Sequence, residues 1–185
     1  MRMWRKDFVP CGPYHISACS KFWRCQIRVV TPLKLLVSWI GGTLSMKTTE
    51  EFNTDSQGLL PGHLGITITD VTDGQLQAEM PVTQFLMAPN GYLHAGSVVS
   101  LADSCAGCGC LASLPTGSTG FTTIELKSNH LGTARDGVLD GVANIVHRGR
   151  TTQVWDVVIT HRETAKTIAL FRCTQMIIYP RPEVT

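Results

Sequence analysis

The stretch from Ala95 to Leu114 constrains this chain more than any other. Its twenty residues are small and apolar throughout, and Asp103 is their one charge. Strands in ordinary sheets run to about five or six residues. A segment of this length and character therefore reads as a helix buried on nearly all sides, and Pro115-Thr116-Gly117 ends it.

A helix of that kind has to be covered, and the flanking sequence supplies the cover. Thr49 to Leu60 predicts a short helix, broken at Leu60-Pro61-Gly62. Leu64 to Val71 alternates apolar Leu64, Ile66 and Ile68 with Gly65, Thr67 and Thr69, the pattern of a half-buried strand. Thr72-Asp73-Gly74 has turn chemistry, and Gln75 to Val82 reads as the returning strand of a hairpin. Four strands are expected after the helix: Phe121 to Asn129, Val138 to His147, Thr152 to His161 and Thr167 to Tyr179. The last three alternate and are rich in Val, Ile and Thr. Two strands, one long apolar helix and four strands predict an α+β fold in which a long, strongly curved antiparallel sheet wraps the helix. One sheet cannot surround a helix completely, so a partner subunit is expected.

Asp103 is the anomaly in this plan. Burying a carboxylate costs several kcal/mol unless it is paired or hydrogen-bonded, and no Lys or Arg lies within one helical turn of it. Two readings stand side by side: a carboxylate satisfied by a distant group, or a base or nucleophile held in a partly dry pocket. His94-Ala95-Gly96 sits where the helix begins. The first amides of a helix have no internal partner, and with the helix dipole they can stabilise a developing oxyanion. Acyl transfer needs both parts, yet eight residues of helix separate Ala95 from Asp103 by roughly 12 Å. One helix cannot present both to a single carbonyl. Two copies packed antiparallel about a two-fold axis can, which predicts a dimer with two shared sites.

The segment Asn90-Gly91-Tyr92-Leu93-His94-Ala95-Gly96 through Leu101-Ala102-Asp103 resembles the motif of PaaI-type hotdog thioesterases, related to the Arthrobacter-type 4-hydroxybenzoyl-CoA thioesterases. In that family a His-Gly-Gly opens the central helix and a Leu-Ala-Asp places the acid nine residues after the His. The resemblance spans about residues 58–180 and includes Thr122-Thr123-Ile124-Glu125 and Gly149-Arg150-Thr151-Thr152. It implies a hotdog fold, a homodimer or a dimer-of-dimers tetramer, and hydrolysis of acyl-CoA thioesters with no metal and no cofactor. By position it implies Asp103 as general base or nucleophile, and the Ala95 amide as main oxyanion donor with Gly96 beside it. His94 would orient the loop or contact the thioester, and Thr123 would assist the attacking water. Two positions depart from the pattern: Ala95 replaces the first Gly, and Ala88 stands six residues before the His where an Asn or Gln is usual. Asn90 is offset from that place by two and is a candidate for substrate binding. For the CoA phosphates the candidates are Arg150 first, then Arg148 across the same glycine, and Arg135 in another loop, each weighed against an ordinary surface arginine.

Other classes fit less well. A non-catalytic acyl-CoA-binding hotdog module would not need the Asp103 carboxylate. A hotdog hydratase would want an Asp before a His, and here the His comes first. Cys105, Cys108 and Cys110 do not share one helix face, and small residues in a tightly packed helix explain them better than a metal site. His130, His147 and His161 are expected to be structural or exposed, and Trp155 to be core.

Charge divides the chain. Residues 1–45 carry Arg2, Arg5, Lys6, Lys21, Arg24, Arg28 and Lys34 against Asp7, so this leader is +6 and the remainder −4. Nothing in the leader has the spacing of a nucleic-acid module, so no nucleic-acid partner is expected. No run of eighteen apolar residues occurs, so no stable membrane insertion is expected. Met46 is read as the natural start, with residues 1–45 a basic leader and 46–185 the functional domain. Seven cysteines in a chain of this length read as reduced thiols in a cytoplasmic protein.

Overall fold

The computed structural model describes residues 46–181, and the expectations for the leader fall outside them. Helix α1 (Thr49–Asp55) starts with a reciprocal cap: the Thr48 hydroxyl accepts the Glu51 amide, and the Glu51 carboxylate accepts the Thr48 amide. Asn53 pins it to the sheet by donating to the Ile68 carbonyl at 2.9 Å and accepting the Ile68 amide at 2.7 Å. A single helical turn, α2 (Leu60–His63), follows.

Six strands form one antiparallel sheet: β1 (Thr67–Thr72), β2 (Gln75–Pro81), β3 (Gly120–His130), β4 (Val138–Arg148), β5 (Thr152–His161) and β6 (Lys166–Ile178). Their spatial order is β1-β2-β4-β5-β6-β3, so β1 and β3 are the two edges. Helix α3 (Ala95–Ala112) lies against the sheet, touching all six strands. This is the α+β arrangement expected from the element order, and the hotdog fold that the resemblance implies. By length and composition α3 could cross a membrane, but here it is the core helix. Val98, Leu101, Ala102, Cys105, Ala106 and Cys110 are buried against sheet residues such as Leu76, Leu139, Trp155 and Phe171.

Small residues permit that close approach. A β-carbon at Gly109 would lie 2.7 Å from the Trp155 ring, and one at Gly141 of β4 would lie 2.8 Å from Cys105 Sγ. Trp155 is fully buried beneath the helix.

The hairpin begins later than its alternation predicts. Leu64 closes α2 and Gly65 takes φ +74°, a conformation that favours glycine, so the strand starts at Thr67. Ile66 and Ile68 are nonetheless buried as the pattern requires. Pro61 does not break the chain into a loop; it sits in the first turn of α2, where a missing N–H costs nothing.

Candidate active site

The start of α3 is fixed from several directions. A short 3-10 turn (Gln84–Leu86) presents the Leu86 carbonyl, which accepts the His94 amide and the Ser97 hydroxyl, both at 3.0 Å. The Leu93 amide donates to the Ala134 carbonyl at 3.0 Å, tying this loop to the segment before β4. His94 is the N-cap: its Nδ1 accepts the Gly96 amide at 2.8 Å. A ring nitrogen that accepts carries no hydrogen, so in the neutral ring Nε2 bears the proton and remains a donor.

This cap distinguishes the two amides named as oxyanion donors. The Gly96 amide is engaged by His94, whereas the exposed Ala95 amide has no partner among the described residues. The structure thus leaves Ala95 as the outward donor.

Asp103 lies two turns further along α3, on the helix side turned away from the core. It opens on a pocket of about 230 Å³ lined by Pro61 of α2, by Ser104, Gly107, Cys108 and Leu111 of α3, and by Phe121 and Thr123 of β3. The walls are largely apolar. Burial pushes the carboxyl above the usual carboxylate range, and the neighbouring Thr123 hydroxyl pulls it back by less. That hydroxyl has one hydrogen, and it goes to Gln175 Oε1 at 2.9 Å. Asp103 Oδ1 is accordingly buried with no hydrogen-bond partner, the one such side-chain atom among the described residues.

The β3 backbone brings Thr123 to this point. A register shift between Thr123 and Glu125 inserts one extra residue, so Thr123 pairs with Gln175 while Glu125 pairs with Thr174. Bulges of this kind re-aim side chains and recur beside active sites. Gln175 in turn pairs with Gln153 of β5, so Thr123, Gln175 and Gln153 form a row across three strands. Both glutamines are fully buried. Both ends of the Gln153 amide are partnered: Nε2 donates to the Ser113 carbonyl at 2.8 Å and Oε1 accepts the Trp155 indole N–H at 3.0 Å. Gln175 Nε2 donates to Cys173 Sγ at 3.3 Å.

Sequence reasoning passed over this row. The signal was available, because Gln153 and Gln175 occupy the apolar register of strands that otherwise alternate: Trp155, Val157 and Ile159 in one, Phe171, Cys173 and Ile177 in the other.

The remaining candidates lie apart from the pocket. Asn90 Oδ1 accepts the Tyr92 amide at 3.2 Å within its own loop. Arg148 pairs with Asp73 at 2.8 Å and holds that carboxyl below its usual range. Arg150 is exposed and stacks over Tyr179, whose hydroxyl donates to the Arg150 carbonyl at 2.7 Å. Arg135, the third candidate for a CoA phosphate, lies over the Tyr92 ring and donates to its hydroxyl at 2.6 Å. Cys105, Cys108, Cys110 and Cys173 are free thiols, and no cluster of metal-ligating side chains occurs among the described residues. Burial pushes Cys108 up to about 11, and Cys110 and Cys173 up to about 12, so none is poised as a thiolate.

Comparison with known proteins agrees with this fold. Residues 90–168 match the thioesterase superfamily. A 1,4-dihydroxy-2-naphthoyl-CoA hydrolase of Listeria monocytogenes is 36% identical over 111 residues, covering 60% of this chain and 89% of its own. The proofreading thioesterase EntH of Cronobacter turicensis is 35% identical over 114 residues, 60% of this chain and 81% of its own. Among solved structures, a thioesterase variant from Pseudomonas aeruginosa superposes with a TM-score of 0.68 at 30% identity, covering 72% of this chain and 96% of the other. A Haemophilus influenzae thioesterase gives 0.70 at 28% identity, covering 76% and 97%.

Proposed function

This chain belongs to the thioesterase superfamily, and on that premise we propose that it hydrolyses an acyl-CoA thioester to the free acid and CoA, with Asp103 as the catalytic carboxylate. The carrying observation is the buried, partnerless Oδ1 of Asp103 at an apolar pocket. An acceptor with no donor costs about 1–3 kcal/mol in a folded protein, and an incoming water is the ligand that relieves it.

In the proposed reaction the carboxylate takes a proton from that water as its oxygen attacks the thioester carbonyl. The oxyanion forms against the Ala95 amide of the partner subunit, because α3 holds its own Ala95 two turns away. Collapse of the tetrahedral intermediate breaks the C–S bond, and the thiolate takes up the proton held by Asp103. Direct attack by the carboxylate, giving an anhydride that water then opens, uses the same groups. In this reaction His94 Nε2 donates toward the thioester from the same helix start.

Two features support a homodimer. The outer side of α3 is incompletely covered by its own sheet, and β3 is an eleven-residue edge strand with Ile124 and Leu126 exposed. Edges of that length and character invite pairing with another chain, and a second β3 about a two-fold axis would bring the two helices together. The pocket walls, Phe121, Pro61 and Leu111, suit an aryl or short alkyl acyl group. Arg150 is the first candidate for a CoA phosphate. The free thiols fit a reducing, cytoplasmic setting.

Released thiol from a panel of aryl-, arylacetyl- and medium-chain acyl-CoA esters tests this reading. At least one substrate should turn over with wild type and not with Asp103→Asn. Equal rates for the two proteins would overturn it.

A further inference from the structure

A hydroxyl lies beside Asp103 and yet leaves its Oδ1 without a hydrogen-bond partner. The Thr123 hydroxyl acts on the carboxyl, and its hydrogen is drawn to Gln175 Oε1 at 2.9 Å. Gln175 is fully buried, and its amide is oriented by the Cys173 sulfur, which accepts the Nε2 hydrogen. With the nitrogen so directed, the carbonyl end faces Thr123. Reversing the amide would place N–H against the Thr123 oxygen and release the hydroxyl hydrogen toward Asp103.

Resting on the assignment of Asp103 as the catalytic carboxylate, we propose that Gln175 is a positioning residue: by accepting the Thr123 hydrogen it keeps Asp103 Oδ1 open for the attacking water. The groups facing the carboxyl are Thr123 from β3, Cys108 from its own helix, Cys173 from β6 and Pro61 from α2. The two thiols stay neutral across the working range, so the state of the Thr123 hydrogen governs how well Oδ1 is solvated. A hydrogen bond to the charged form of a carboxyl lowers its basicity. Gln175 draws the Thr123 hydrogen away and leaves that bond weak, so the carboxylate is the stronger base toward water.

The test is a carboxyl-carbon NMR titration of Asp103 in the free protein, identified by its loss in Asp103→Asn, together with the pH profile of hydrolysis. Gln175→Met removes the acceptor at nearly constant volume. The titration midpoint should then fall by about one pH unit, the acid limb of the rate profile should move with it, and turnover above the limb should drop about threefold. In a Thr123→Val background the same Gln175→Met change should shift nothing further, since the intermediary is gone. A merely structural glutamine would lower thermal stability and leave the midpoint in place, and that result overturns the proposal. Should Gln175→Met fail to fold, Thr123→Val decides alone. A midpoint that stays near wild type supports the proposal, and a rise of a full unit overturns it, because the hydroxyl must then have been donating to Asp103. If Asp103→Asn hydrolyses like wild type, the thioesterase site fails. If Asp103→Asn is inactive but the Gln175→Met midpoint is unmoved, only the role of Gln175 fails.

Discussion

The row of polar groups beneath α3 has two ends that behave differently. At the inner end, Gln153 gives its hydrogen to Ser113 and takes one from Trp155, so it is completed within the chain. At the outer end, Asp103 Oδ1 is left without a donor although Thr123 stands beside it. The strands and burial are similar, but one end is finished and the other is not. A finished buried polar group stabilises and specifies the fold, whereas an unfinished one is costly and open to a ligand. Under the proposed function, the inner end serves stability and the outer end serves chemistry.

The outer end gives the largest expected effect. Asp103→Asn should reduce turnover about 10³-fold while raising stability at neutral pH. The sign follows from the raised carboxyl: its folded value lies above the unfolded one, so ionisation opposes folding. The penalty is absent below the unfolded value, grows as pH rises through the folded one and is complete above it. Denaturation at pH 7 and at pH 3 checks this, since the gain should appear at the first and vanish at the second.

The partner half of the outer end can be removed next. Ala95→Pro deletes the unpaired amide at the first helical position, where proline is well tolerated. His94 already has φ −66° and ψ 134°, the extended geometry a following proline requires. Turnover should fall about 10²-fold with the melting temperature nearly unchanged. Equal amounts of Asp103→Asn and Ala95→Pro chains, allowed to exchange, should recover about a quarter of wild-type turnover, because half the dimers then hold one intact site. No recovery would separate the two halves of the proposed site.

The inner end should respond in the other currency. Gln153→Leu strips partners from the Ser113 carbonyl and the Trp155 indole, and should cost about 2 kcal/mol by chemical denaturation. The midpoint of the rate profile should hold, and a shift there would mean that the two ends are not separable. Smallest is Arg150→Ala, which should raise KM for an acyl-CoA severalfold with kcat retained, about 1 kcal/mol of binding.

Much of this was legible in the chain because it rests on local pattern. The length and apolarity of Ala95–Ala112, the alternation of β4 to β6 and the isolation of Asp103 are properties of neighbours in sequence. The errors at the hairpin have a local cause too. Leu64 and Ile66 alternate like a strand, but Gly65 sits at positive φ and the one-turn helix carrying Pro61 occupies the space before it. What could not be read was pairing at a distance. Thr123 and Gln175 meet only because a bulge offsets β3 against β6, and Gln153 meets Ser113 forty positions away. Capture of the Gly96 amide by His94 Nδ1 likewise depends on a ring orientation set by the folded loop.

The contact of Gly109 with the Trp155 ring has a consequence for how such a protein diversifies. It seats the helix that carries both halves of the proposed site directly on the centre of the sheet. The pocket walls come partly from elsewhere, from Pro61 on a one-turn helix and Phe121 on an edge strand. Substitutions that remodel those peripheral walls leave the spacing of Ala95 and Asp103 untouched. If the proposed site is correct, descendants of this chain can exchange one substrate group for another without moving Ala95 and Asp103, while a single methyl added at Gly109 would disturb that site for every substrate at once.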